Sequence, residues 1–170
     1  IFTASLKEKE PKDYEPIMEA EIESLDRRDS LYHCLVNAAH QFHVQKDNNE
    51  YVLAGYPWFK PRARDTFISL PGLTLAIGET EQYERYMATA ITAIRDYINK
   101  RPISVGIYEM EQPDTLLWAV WCLQQYGKYV SRKKCYELYG EIITEIMDFI
   151  RQGKHNNLFV HENGLLYSNG

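Results

Sequence analysis

The chain has 170 residues, of which 45% are hydrophobic and 25% charged, and its formal net charge is −5. This composition is typical of a soluble globular protein, and about two thirds of the unfolded surface of such a chain can be buried in one core. The negative charge and the lack of a long Lys/Arg cluster argue against a nucleic-acid partner, and no apolar run is long enough to span a membrane. We therefore predict one domain with a flexible lead-in over residues 1–12.

Cysteine and histidine spacing gives no sign of a metal site. Cys34, Cys122 and Cys135 are far apart and lack zinc-site spacing, so reduced structural thiols are predicted. His40 and His43 are placed on the second predicted helix, but no third ligand follows at a known spacing. Glycine motifs that bind phosphates or dinucleotides do not occur. The sequence predicts neither a metal nor a cofactor.

Apolar residues at helical spacing predict six helices joined in series. The first covers residues 14–28 and has an apolar stripe at Met18, Ile22 and Leu25. The second begins after the cap residue Ser30. Its predicted stripe consists of Leu31, Cys34, Leu35, Ala38 and Phe42.

The remaining elements follow a turn at residues 46–50 and an extended or loop segment over 52–57, with at most one short strand. The third helix covers 64–77 with a kink or break near Pro71. The other three are predicted over 80–98, from about 114, and over 131–152, followed by a small hairpin around Asn163 and Gly164. Antiparallel helices in a stack are the economical packing for this order, so the predicted fold class is all-α.

The most informative stretch runs over residues 54–75. A Gly/Pro/aromatic segment containing Tyr56 and Trp58 leads into Arg64 and Asp65, where a helix begins. Aromatic rings beside a carboxylate suit a sugar, which has an apolar face and a glycosidic oxygen that needs a proton donor. The alternative is that Asp65 only stabilises the helix start through the helix dipole. As a general acid it would need a raised pKa, so burial would have to outweigh the adjacent Arg64.

A second carboxylate stands at the predicted start of the fifth helix. Asp114 is followed one turn later by Trp118, on the same face. The pair could hold a sugar by its hydroxyls and its apolar side, whereas the simpler interpretation of Asp114 is a helix cap.

These residues carry a resemblance to a known family. The stretch 54–75 is similar to the segment A-G-Y-x-W-F-G-x-W-G-R-D-x-x-I-x-L-x-G-L of the glucosidase domain of glycogen debranching enzymes. Upstream, Gln41-Phe-His-Val resembles the family's Q-F-x-V, and Asp114-x-x-Leu-Trp118 resembles D-x-x-L-W. Near the end of the chain, Asn163-Gly-Leu-Leu-Tyr167 resembles D-G-L-L-Y. The matches occur in family order over most of residues 41–167.

The resemblance implies an (α/α)6 toroid of which residues 1–170 form part, about half of the twelve helices, with the domain incomplete after residue 170. It implies an inverting glycoside hydrolase that removes α-1,6-linked glucose at branch points of a glycogen-like α-glucan, without a cofactor and in the cytoplasm. Asp65 corresponds to the acid, and the base lies in a later family segment, so the fragment alone is expected to be inactive. Sugar contacts are expected from Tyr56, Trp58, Arg64, Asp114 and Trp118, as one wall beside Asp65.

One departure keeps other functions open. The family's G-x-W-G is replaced by Lys60-Pro-Arg-Ala63, which removes a tryptophan and two flexible glycines. Another inverting (α/α)6 hydrolase, similar to a glucoamylase or a trehalase, is one alternative. A relative that binds α-glucan without hydrolysing it is the other. If the chain is half a toroid, its inner helices should expose an apolar patch.

Overall fold

The computed structural model of the chain describes residues 10–25, 27–56 and 58–169. Contacts divide the chain into two compact units, and the boundary in sequence falls between Gln41 and Phe42. Most of the predicted lead-in lies outside the described residues, and its end joins a short 3-10 helix over Pro11–Tyr14. None of the described helices is long and apolar enough to cross a membrane.

The first unit contains helices α1 (Glu15–Ser24) and α2 (Leu31–His40). The predicted cap is confirmed, because the Ser30 side chain accepts a hydrogen bond of 3.1 Å from the His33 amide. The predicted apolar stripes are wrong. Helix α1 has no buried residue, and α2 buries Val36, Asn37 and Ala39 instead of its stripe. Helix α2 has apolar residues on more than one face, so periodicity alone did not select the buried face.

The second unit begins with a hairpin of strands β1 (His43–Lys46) and β2 (Asn49–Val52). Asp47 and Asn48 form its tip with φ angles of 51° and 61°, a left-handed pair that favours Asn and Asp in two-residue hairpin turns. The turn was predicted, but both strands were missed. The strand expected within 52–57 contributes only Val52. His43 lies in β1, so its predicted place on the second helix beside His40 was also wrong.

Four helices follow, α3 (Ala63–Leu73), α4 (Thr80–Ile98), α5 (Thr115–Tyr129) and α6 (Arg132–Arg151). Helix α3 continues through Pro71, and the break falls at Thr74, before a 3-10 turn over Leu75–Ile77. The chain then turns at Gly78, whose φ of 87° favours glycine. Helix α6 begins where it was predicted, and the Ser131 side chain caps it by accepting from the Lys134 amide.

The helices of this unit alternate in direction. Helices α5 and α6 are antiparallel, because Cys135 near the start of α6 donates to the Leu123 carbonyl in the second half of α5. Helix α4 runs parallel to α6, because Tyr83 in its first turn contacts Tyr139, whereas Arg95 in its last turn pairs with Glu145 further along α6. Neighbours in sequence are therefore antiparallel, whereas alternate helices are parallel.

Aromatic residues fill the centre of the core. The Tyr83 and Tyr126 ring centroids are 5.5 Å apart, and that of Tyr139 lies 5.3 Å from Tyr126. The Tyr83 hydroxyl donates a hydrogen bond of 2.8 Å to the Cys122 carbonyl. Burial, and after it the neighbouring Cys122 side chain, raise the pKa of Tyr83 well above the usual range, so the phenol stays protonated.

A second hairpin closes the unit. Strands β3 (Leu158–Val160) and β4 (Leu166–Ser168) pair antiparallel, and Gly164 between them has a φ of 81°. This hairpin was predicted at the correct place. With six helices and two small hairpins among the described residues, the all-α prediction is confirmed and the arrangement is consistent with part of a toroid. That residues 1–170 belong to a single domain stays a prediction.

Candidate functional site

Two predicted site residues that are far apart in sequence form an ion pair. Arg64 Nη2 lies 3.2 Å from Asp114 Oδ2. The same carboxylate oxygen accepts a hydrogen bond of 3.0 Å from Trp118 Nε1. A guanidinium, a carboxylate and an indole are thus joined in one chain of contacts. Asp114 is about one-third exposed and Arg64 about half exposed, so a ligand can reach both.

Helix direction explains why these residues meet. Arg64 lies in the first turn of α3, and Asp114 directly precedes α5. The two helices pack along each other, so their amino-terminal ends lie side by side and their axes run in the same sense. The loops before them are joined by a parallel bridge between Arg62 and Tyr108.

The Asp114 side chain is not a helix cap, although its backbone takes the cap position. Its carbonyl accepts from the Trp118 amide, but its carboxylate makes no capping hydrogen bond. The carboxylate faces Arg64 and the Trp118 indole instead. The simple cap interpretation of this side chain is therefore wrong, and its charge is available to a polar ligand.

Asp65 follows Arg64 in the first turn of α3, but its side chain is exposed. Burial, which a general acid at this position was expected to need, is not provided by the described residues. A hollow of about 260 Å³ lies beside it, and Leu53, Ser69 and Leu73 contribute to its lining. Ser69 Oγ donates its hydrogen bond to the backbone carbonyl of Asp65 and not to the Asp65 carboxylate.

Arg64 and Asp114 border a different hollow of about 460 Å³. Leu158, Leu166 and Ser168 of the carboxy-terminal hairpin line its other side. Gln112 also lines it and was not singled out from the sequence. The resemblance at residues 163–167 was the signal for this hairpin, but a sequence motif alone does not show that its strands flank Asp114.

The predicted aromatic contacts are accessible. Trp58 is 85% exposed and Tyr56 is 58% exposed. Both precede α3, on a loop held by a hydrogen bond from the Phe59 amide to the Gly55 carbonyl. Trp118 is partly buried and packs against the core. The shared wall of Tyr56, Trp58, Asp114 and Trp118 beside Asp65 stays a prediction.

The other candidate groups are structural. Burial raises the pKa of the Cys122 thiol to about 12, which disfavours the nucleophilic thiolate. Cys135 is also buried, Cys34 is exposed, and none of the three is in a disulfide. In the described part of the chain, no group of three His, Cys, Asp or Glu side chains is placed to hold a metal ion.

Comparison with known proteins gives one match. Residues 35–170 match the family model described as Amylo-alpha-1,6-glucosidase. This range includes α3, α5 and both hairpins, and so all the site residues above. Searches of curated proteins and of solved structures gave no match.

Proposed function

The chain belongs to the amylo-alpha-1,6-glucosidase family, and from this premise we propose that it carries the proton-donor side of a glucosidase site. The substrate proposed is the α-1,6-linked glucose at a branch point of a glycogen-like α-glucan. The cytoplasm, where such a polymer is degraded, is the proposed compartment. Cofactors and metal ions have no part in the proposed reaction.

The main support for this proposal is a contact between two motifs that are distant in sequence. The Arg64-Asp65 pair and the Asp114-x-x-Leu-Trp118 segment each resemble a separate family motif. In the structure, the Arg64 guanidinium and the Asp114 carboxylate are 3.2 Å apart. A helix cap at each position would not require this contact. A carbohydrate site is well served by hydrogen-bonding charged groups and aromatic rings at one place.

Each residue has a proposed role. Asp65 donates a proton to the glycosidic oxygen as the bond from that oxygen to the glucose anomeric carbon breaks. Arg64 and Asp114 bind sugar hydroxyls, with Arg64 as donor and Asp114 as acceptor. Trp118 fixes the Asp114 carboxylate through its indole N–H. Tyr56 and Trp58 offer aromatic surfaces to the apolar side of the sugar.

The inverting reaction also needs a base. A second carboxylate must take a proton from the water that attacks the anomeric carbon, and such pairs are about 6.5–9.5 Å apart. Asp114 is not assigned this role, because its Oδ2 already contacts two donors. In the resemblance, the base belongs to a later family segment. Because Asp65 is exposed, we propose that bound substrate and the elements carrying the base exclude water from it.

The test is the Asp65→Asn variant of the full-length protein, assayed for glucose release from limit dextrin. We expect turnover to fall by orders of magnitude while glucan binding persists. Glu81→Gln is the matched control, because Glu81 is also an exposed carboxylate in the first turn of a helix. Near wild-type hydrolysis by Asp65→Asn would remove this residue from the mechanism.

Substrate choice separates the alternatives. Release of glucose from limit dextrin, but not from trehalose or maltose, would support the branch-point specificity. Preference for trehalose or maltose would favour the related hydrolases. Glucan binding without hydrolysis of any of the three would identify a binding protein.

A further inference from the structure

We propose a second carbohydrate contact on this chain, a groove whose binding platform is Tyr108. The groove has a volume of about 480 Å³, within the range of small-ligand sites. We call it the Tyr108 groove, and its polar lining is Lys46, Asp47, Asn49, Lys60, Ser104 and Tyr108. The ligand proposed is the linear α-glucan chain next to the branch point. This inference rests on the proposed function for its substrate class.

Tyr108 is exposed on a fixed backbone. Its amide donates to the Pro61 carbonyl at 3.0 Å, and its carbonyl accepts from the Ala63 amide at 2.9 Å. The residue nevertheless remains 45% exposed. A tyrosine held by both backbone groups can offer its ring to a ligand at a small cost in conformational entropy. This is the property expected of a sugar-stacking platform.

Lys60, which stands where the family segment has glycine, contacts the Tyr108 ring. Its Nζ lies 4.7 Å from the centre of the Tyr108 ring. The ammonium group both orients the ring and can donate hydrogen bonds to sugar hydroxyls. Lys60 is the first residue of Lys60-Pro-Arg-Ala63, which replaces G-x-W-G.

Arg62 links the same two loops through an ion pair. Arg62 Nε lies 3.3 Å from the Glu109 carboxylate, and Glu109 has a φ of 61°. A left-handed backbone is unfavourable for glutamate, and such strain persists where surrounding contacts hold it. The ion pair therefore helps to fix the residue that follows Tyr108.

The other walls are also held in place. Ser104 is fixed by Asp96, which accepts from its amide at 3.0 Å and its hydroxyl at 2.6 Å. Gly106 donates its amide to the buried Tyr51 hydroxyl at 3.2 Å. The first hairpin contributes Lys46 from the end of β1 and Asp47 from its turn. The groove is therefore lined by the first hairpin and by the loops around Lys60 and Tyr108.

The lining chemistry favours a neutral polyhydroxyl ligand. Lys46 and Lys60 carry positive charge, whereas Asp47 carries negative charge, so the groove lacks the uniform charge of a phosphate or nucleic-acid site. Mixed donors and acceptors beside one aromatic ring are suited to hydroxyl groups around an apolar sugar face. None of Arg64, Asp65 and Asp114 lines this groove, which makes it distinct from the proposed catalytic site.

The experiment measures the full-length protein on limit dextrin and on a short trisaccharide with one α-1,6-linked glucose. We expect Tyr108→Ala to raise KM for limit dextrin roughly threefold to tenfold, the effect of losing one aromatic contact, with kcat unchanged. KM for the trisaccharide should not change, because it is too short to occupy both sites. Tyr108→Phe should behave as wild type, since stacking uses the ring.

Lys46→Ala tests the hairpin's contribution to the groove without altering the Tyr108 loop, and we expect a smaller rise in KM for limit dextrin alone. Tyr136→Ala is the control, because Tyr136 is 79% exposed on α6, outside the groove. Equal KM for wild type, Tyr108→Ala and Lys46→Ala on limit dextrin would overturn the inference. So would an equal rise on both substrates.

Binding of maltoheptaose by calorimetry keeps the two proposals separate. Tyr108-dependent binding in a protein that hydrolyses none of the substrates would support the groove and contradict the proposed function. Hydrolysis of limit dextrin with maltoheptaose binding unaffected by Tyr108→Ala would support the function and contradict the groove.

Discussion

Arg64 and Asp114 are joined by a contact of 3.2 Å, although one lies in α3 and the other precedes α5. The pair is partly solvated, so its own contribution to folding stability is small. Its importance is positional, because it sets two charged groups of opposite sign at the border of one hollow. Changes at this pair should therefore affect ligand binding more than the stability of the fold.

We expect Asp114→Ala to weaken α-glucan binding by roughly 1.5–3 kcal/mol, the usual contribution of hydrogen bonds to a charged group. Calorimetry with maltooligosaccharides on the Asp65→Asn background would measure this loss without hydrolysis. Glu81→Ala is the control for removing an exposed carboxylate. Unchanged affinity in Asp114→Ala would show that this carboxylate does not contact the sugar.

The Tyr83 hydroxyl should contribute to stability through its buried hydrogen bond to the Cys122 carbonyl. We expect Tyr83→Phe to lower the free energy of unfolding by about 1 kcal/mol, since the ring and its packing are retained. Urea denaturation followed by circular dichroism would measure the change. Tyr136→Phe, at an exposed position of α6, should have no effect. A comparable loss in both variants would contradict this assignment.

His155 should make the fold sensitive to mild acid. Its side chain is buried, Nδ1 accepts from the Asn157 amide at 3.0 Å, and burial lowers the pKa of His155. A histidine with a lowered folded-state pKa takes up a proton more readily when unfolded, so stability should fall as pH drops through the unfolded pKa of about 6.5. Thermal melting between about pH 8 and pH 5 would test this.

His155→Phe should flatten that part of the profile, because phenylalanine keeps the ring contacts with Tyr97 and Phe149 but does not titrate. His161→Phe is the control, since His161 is exposed. If His155→Phe leaves the pH profile unchanged, His155 is not the responsible group.

Helix α2 exposes large apolar side chains, and we predict that they form the apolar patch expected of an open toroid. Leu31 is 77% exposed and Leu35, one turn later, 60% exposed, with Tyr32 beside them. We expect the isolated 170-residue chain to bind an apolar dye, and Leu35→Lys to reduce that fluorescence. Thr92→Lys, on the exposed side of α4, is the control. Equal fluorescence in the wild type, Leu35→Lys and Thr92→Lys would show that the dye does not bind at Leu35.

The helices could be predicted because their signals are local. Ser30 and Ser131 cap the helices that they were expected to start, and Gly164 lies in the predicted turn. The strands of the first hairpin were missed, since His43–Lys46 and Asn49–Val52 are four residues each and show no clear alternation. Their stability depends on pairing and on packing of Tyr51 and Val52 into the core.

The site was predicted only in part, for a related reason. The residue types at 64–65 and 114–118 were singled out, but the ion pair between Arg64 and Asp114 is a long-range contact. Asp114 could be interpreted as a helix cap because the sequence places an aspartate before the helix in either case. It does not show whether the carboxylate bonds to the helix amides. Tyr108 lies in a loop without periodicity, so its exposure and its contact with Lys60 could not be predicted from spacing.

The bridge between Arg62 and Tyr108 also has a consequence for local unfolding. Because the Ala63 amide is bonded to the Tyr108 carbonyl, loop 103–112 cannot separate from the entrance of α3 without exposing that amide to solvent. Hydrogen exchange at Ala63 and Tyr108 should therefore proceed through one common opening. A ligand bound on either side would slow exchange at both amides, even where it touches only one of the two loops.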